Sequence, residues 1–197
     1  MEQLLKDCEP YQREIYEEFI QLLRIQTGDV AVQTCDVAVQ TGDVAVLTNE
    51  TIMLPDKVET LAFQLSLQIK ALEARGFSLL FLQASDIWIL DKQIYFIANL
   101  TRLVPLYKKD TFKILLSYPV DFSAACLKEP IKCIAPELLQ MKALPFLMHR
   151  SAAYYSAALL CLHVMQQSLE ELQGTKLFYF LERCLKRDPN ERQCLFL

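Results

Sequence analysis

Glycine is scarce in this chain: the 197 residues hold four, Gly28, Gly42, Gly76 and Gly174, and none belongs to a G-x-G-x-x-G or G-x-x-x-x-G-K array. Without such an array the sequence offers no backbone cradle for a dinucleotide or a nucleotide triphosphate. Histidine is scarcer still. His149 and His163 are the only two, neither has acidic or thiol partners at ligand spacing, and no nucleophile elbow is present, so a Ser-His-Asp or Cys-His centre cannot be assembled. Lys and Arg number 20 against 24 Asp and Glu, a net charge of −4 at pH 7, which leaves no basic stripe and excludes an electrostatic case for nucleic acid. The seven cysteines (Cys8, Cys35, Cys126, Cys133, Cys161, Cys184, Cys194) are odd in number and contain no C-x-x-C. They read as reduced, buried thiols of a cytosolic or nuclear setting, not as a disulfide framework or a zinc site. The longest apolar run, Ala152 to Met165, has 14 residues and is broken by Ser156 and His163, short of the ~20 that a membrane span needs. The N-terminal Met-Glu-Gln-Leu-Leu-Lys-Asp has no basic segment leading into an apolar one, so no signal peptide is expected.

What is present favours a folded chain, with 53% apolar and 22% charged residues, close to ordinary globular usage. Three segments are expected. Residues 1–25 hold an amphipathic helix, with Pro10 at its start and Tyr11, Ile15, Phe19 and Leu22 or Leu23 on one face. Residues 26–48 hold a repeat of seven: Gln26-Thr27-Gly28-Asp29-Val30-Ala31-Val32, then Gln33 to Val39, then Gln40 to Val46. Each Val-Ala-Val alternates as a strand does, and Thr-Gly-Asp suits a turn. The repeat therefore reads as a tolerated surface insertion, with a meander of three short strands as the alternative.

Residues 54–197 form the main domain. Pro55 and Asp56 start a helix whose buried stripe is Val58, Leu61, Leu65, Ile69 and Leu72, stopped at Arg75-Gly76. Strands are expected at Ile87–Leu90 and Ile94–Ile97, with the lone Trp88 as a core residue, and mostly loop from 100 to 134 apart from an apolar run at Phe112–Leu116. Short helices are expected at Glu137–Met141 and Leu177–Leu185, with a buried one at Ser151–Gln167. The fold class is mostly α within an α+β frame: a helical domain with a small β-hairpin.

Two segments of this domain carry a resemblance. Ile134-Ala135-Pro136-Glu137 resembles the Ala-Pro-Glu end of a protein-kinase activation segment, and Asp188-Pro189-Asn190-Glu191-Arg192 resembles the turn that closes the kinase C-lobe. The resemblance implies a buried ion pair between Glu137 and Arg192, and a kinase C-lobe-like fold. It also implies where catalytic residues should stand. The position of the catalytic-loop base is Phe81, that of the magnesium-binding Asn is Asp86, and Ala98-Asn99-Leu100 stands for Asp-Phe-Gly. Ser151-Ala152-Ala153-Tyr154-Tyr155-Ser156 is similar to Ser-x-Asp-x-Trp-Ser, with Ala153 where the loop-steadying Asp belongs. The expectation is a pseudokinase-like lobe with no catalytic residue, no cofactor and no metal, acting as a scaffold for an unidentified protein partner or for self-association. Its upper face would bind unless capped by the Tyr11–Ile25 helix or by a second copy. An unconventional nucleotide-dependent enzyme using Asp86, and a structural component of a larger assembly, are the alternatives. A minimised lobe with a repeat also resembles gene products of large cytoplasmic DNA viruses such as African swine fever virus, which would place it in host cytoplasm. Neither nucleic acid nor membrane is expected as a partner.

Overall fold

The computed structural model describes residues 9–27, 44–90, 93–107, 113–116 and 133–196. Residues 28–43, which hold most of the repeat, and Asp91 and Lys92 of the hairpin turn therefore lie outside the described residues. The architecture is α+β: helices pack against three small antiparallel sheets.

Helix α1 (Pro10–Thr27) runs two residues past the boundary expected from sequence. It buries Ile15, Tyr16, Phe19, Ile20 and Leu23, the stripe of a 3.6-residue period. Tyr11, expected on that face, is half exposed, although its ring stacks on Phe77 at 6.4 Å. Helix α2 (Pro55–Ala74) starts on a proline, whose missing N–H costs nothing in the first turn. Its five-residue stripe is buried throughout. It stops where Gly76 takes φ +83°, a left-handed conformation that a side chain resists.

Strand β1 (Val44–Val46) is the third copy of the repeat. It pairs antiparallel with β3 (Ile87–Leu90), which pairs in turn with β4 (Ile94–Ile97), in the order β1-β3-β4. This Val-Ala-Val is thus paired as a strand, with Val46 opposite Trp88, while those at 30–32 and 37–39 lie outside the described residues. Trp88 itself is only partly buried at the side of the core. The outer edge of β4 is closed by a helix. Gln64 Oε1 accepts the Tyr95 N–H at 2.7 Å and Gln68 Oε1 accepts the Ile97 N–H at 2.9 Å, while Gln68 Nε2 donates to the Tyr95 carbonyl at 2.8 Å. The match is geometric: four residues of helix advance about 6 Å and two of strand about 6.6 Å. Two glutamines one turn apart thus stand in for a strand on an edge that would otherwise be open.

The 100–116 stretch, expected to be mostly loop, contributes β5 (Leu103–Pro105), paired with β2 (Phe77–Leu79), and β6 (Lys113–Leu116), paired with β7 (Phe146–His149). Their three or four residues are too few for alternation to stand out from loop sequence. The short helix α3 (Pro136–Leu139), the buried α4 (Ala152–Met165) and the amphipathic α5 (Lys176–Cys184) follow. Thr175 caps α5, its hydroxyl accepting the Phe178 N–H at 3.0 Å. A main core lies between α1, α2, β4, α4 and α5, and a smaller one joins Leu80 and Phe81 to Ile114, Leu138 and Met148.

Candidate functional site

The positions that chemistry would need meet where the hairpin β3–β4 returns to the segment after β2. Asp86 closes a single 3-10 turn, Ala84–Asp86, and its side chain is 1% exposed. A carboxylate so buried must be paired and hydrogen-bonded. It is: Oδ2 accepts the Gln83 N–H at 2.8 Å and an ion-paired hydrogen bond from Arg102, and Oδ1 accepts Asn99 Nδ2 at 2.7 Å. Arg102 also donates to Gln83 Oε1 at 2.6 Å and lies over the Phe81 ring at 4.4 Å. Ala98, buried, donates its N–H to the Asp86 carbonyl at 2.8 Å. The structure thus brings Phe81, Asp86 and Ala98 together, but around an arginine that sequence reasoning left out. The signal for Arg102 was modest: a charged residue in the turn after an apolar hairpin, three residues beyond an Asn.

Two further side chains reach the same region. Tyr16 of α1 donates its hydroxyl to the Ala98 carbonyl at 2.7 Å, and its ring lies 5.4 Å from that of Phe96. Ser156 of α4 accepts the Leu82 N–H at 2.6 Å and donates to the Cys133 carbonyl. Ala153, one turn earlier on α4, is packed in the main core without polar contact to make. The tie between α4 and the loop after β2 is therefore made by Ser156.

The second polar centre joins α3 to the C-terminal turn. Arg192 Nη1 and Nη2 donate to Glu137 Oε1 and Oε2 at 2.5 and 2.9 Å, a bidentate pair with the arginine side chain fully buried. His149 stands beside it, its Nδ1 2.8 Å from Ser151 Oγ, and the Ser151 hydroxyl donates to the Pro189 carbonyl at 2.7 Å. Burial lowers the His149 pKa, and the positive charges of Arg150 and Arg192 lower it further. Ser151 is wholly buried, and its contacts tie His149 at the end of β7 to the Pro189 carbonyl of the C-terminal turn. His163 lies 3.1 Å from the Asn49 carbonyl.

A third centre was not read from the sequence. Glu73, near the end of α2, accepts the Tyr154 hydroxyl and lies 3.4 Å from both Lys70 Nζ and Arg150 Nε. Burial first, then the Glu73 charge, raises the Tyr154 pKa strongly, so the phenol stays a donor. Cys161, Cys184 and Cys194 are free thiols, and they and Cys133 are buried. Burial raises the Cys161 pKa, and the contact with Cys194 followed by burial raises that of Cys184, which keeps both as thiols. Among the described residues no three His, Cys, Asp or Glu side chains converge as a metal site, and no helix is long and apolar enough to cross a membrane.

No protein-family model matches the chain, and no curated protein matches it either.

Proposed function

We propose that this chain is a non-catalytic protein-interaction or scaffold protein built on a degenerate kinase C-lobe-like domain, acting in the cytoplasm, that of a host cell if the viral resemblance holds. The observation that carries the reading is the Asp86 centre. The one carboxylate at a position where a kinase binds metal is saturated by Arg102, Asn99 and the Gln83 N–H. A cation would have to displace an arginine already neutralising that buried charge, and the loss of a buried pair partner costs about 3–5 kcal/mol. Tyr16 supports this reading by bonding the backbone of Ala98, which suits α1 to the role of a cap over the face that a kinase N-lobe would occupy.

An interaction surface is better sought on the ribbon β6–β7. Leu115 and Leu147 stand directly opposite each other there, 39% and 43% exposed, while Ile114 and Met148 on the other face are buried. A cross-strand leucine pair left in water is the kind of apolar spot a partner or a second copy covers.

Two measurements test the proposal. Purified protein with labelled ATP and magnesium or manganese should label neither itself nor a generic substrate, and Mg-ATP should leave its melting temperature unchanged. Incorporation that is lost in Asp86→Ala would overturn the non-catalytic reading and favour a nucleotide-dependent enzyme. Leu115→Glu with Leu147→Glu should abolish binding to a partner, or self-association seen by light scattering, while leaving the melting temperature intact. Unaltered association in that variant would place the surface elsewhere.

A further inference from the structure

The repeat holds three identical Asp-Val-Ala-Val sequences, and one of them fills an edge of the sheet. The segments Asp29-Val30-Ala31-Val32, Asp36-Val37-Ala38-Val39 and Asp43-Val44-Ala45-Val46 have the same four residues, and the third occupies the edge of β3, with Val44 opposite Leu90, Ala45 opposite Ile89 and Val46 opposite Trp88. Nothing in the strand itself distinguishes the copies. Its three side chains are all exposed, so burial cannot choose among them, and weakly specified edge strands are prone to slip.

The residue that follows each copy does differ. After Val32 and Val39 come Gln33 and Gln40, and after Val46 comes Leu47. Leu47 extends the ladder, its N–H donating to the Ile87 carbonyl at 2.9 Å, and its side chain is completely buried in the main core.

We propose that Leu47 is the register lock of the repeat: it selects the third copy as β1 and excludes the other two. A slip of seven residues would keep the Val-Ala-Val pairing and place Gln40 or Gln33 in the Leu47 slot. It would also lengthen the connection to residues 48–53, which the Asn49 carbonyl at His163 and the Met53 N–H on the Val164 carbonyl hold in place. A glutamine amide without a partner there would be buried at a cost, and the apolar burial of leucine would be lost. A seven-residue change in the connecting loop costs little by comparison. With the lock at Leu47, loss of a whole upstream copy should leave the β1 pairing as it is.

The single tryptophan supplies the readout, because Trp88 faces Val46 across the pairing. Three variants of the full chain test the lock by tryptophan emission, melting temperature and amide hydrogen exchange. Removing residues 33–39 should leave Trp88 emission and melting temperature as in the parent. Leu47→Gln should shift the emission to the red, lower the melting temperature by several degrees and expose the amides of 45–47. Leu47→Gln combined with Gln40→Leu should restore the emission, with slow exchange now at 38–40. If Leu47→Gln leaves emission and exchange unchanged, the lock is refuted. It is equally refuted if the double variant fails to recover, whether it is folded or unfolded, or if loss of residues 33–39 disturbs Trp88.

Discussion

All five guanidinium donors of Arg192 are used. Nε reaches the Lys186 carbonyl at 2.7 Å, Nη1 reaches Glu137 and the Ser151 carbonyl at 3.5 Å, and Nη2 reaches Glu137 and the Arg187 carbonyl at 3.3 Å. The group also lies 4.7 Å above the Tyr155 ring. One residue thereby binds α3, the N-terminus of α4 and the last turn. Arg192→Ala strands the Glu137 carboxylate and should cost about 3–5 kcal/mol in urea or thermal denaturation. Arg192→Lys keeps the charge but not the fork, so it should recover only part of that loss. Arg192→Met with Glu137→Leu should do less harm than Arg192→Ala, since no lone charge remains. His149 supplies a pH test at the same scale. Its folded pKa lies below the ordinary value, so the unfolded chain takes up a proton first as pH falls. Stability from a neutral His149, facing Arg150, Arg192, Glu137 and Asp188, is present above about pH 6.5 and lost as pH falls through the lowered folded value. The gap in melting temperature between the parent and His149→Gln should therefore shift between pH 7 and pH 5, with the parent losing more.

Between elements, the decisive contacts are polar side chains substituting for backbone. Gln64 and Gln68 lie on the stripe side of α2, where a periodicity reading expects apolar residues, and they serve the β4 edge instead. Gln68→Leu would leave the Ile97 N–H and Tyr95 carbonyl without that partner, at about 1–3 kcal/mol for each buried group left unmade. Gln64→Leu should cost less, because its Nε2 bond to the Gln93 carbonyl is longer, at 3.2 Å, and only part-buried. Chemical denaturation of the two variants ranks them; a negligible cost in both would mean that the edge is not closed by these amides. Ser156→Ala removes the tie to Leu82 and Cys133 and should loosen the loop that carries Phe81, seen as faster exchange of the Leu82 amide.

Across the whole molecule, α1 is integral to the fold. Five buried side chains at roughly 1.5–3 kcal/mol each are worth on the order of 10 kcal/mol as an upper estimate. That equals the entire margin of about 5–15 kcal/mol expected for a domain. The Glu14 and Glu18 contacts with Arg75 add little, being largely exposed. A chain lacking residues 1–27 should therefore fail to fold cooperatively, as read by circular dichroism and a melting transition. A folded product with the parent's melting temperature would show that α1 is a detachable cap.

The sequence by itself determined α1, α2, α4, α5 and the hairpin β3–β4, because each has either a helical stripe of apolar residues or a bounded apolar run, which are local signals. It also put Glu137 and Arg192 forward as partners, through motifs 55 positions apart. Tertiary structure alone decided the rest. The strands β2, β5 and β7 carry no bounded apolar run of the kind that marks β3 and β4, β6 showed only as an apolar run, and all four pair with strands distant in sequence. Arg102 becomes the partner of Asp86, and Tyr16 that of Ala98, only once chain folding brings remote turns together. The three Val-Ala-Val sequences carry identical local information, and what sets the one at 44–46 apart is tertiary: the core slot that the next residue, Leu47, fills.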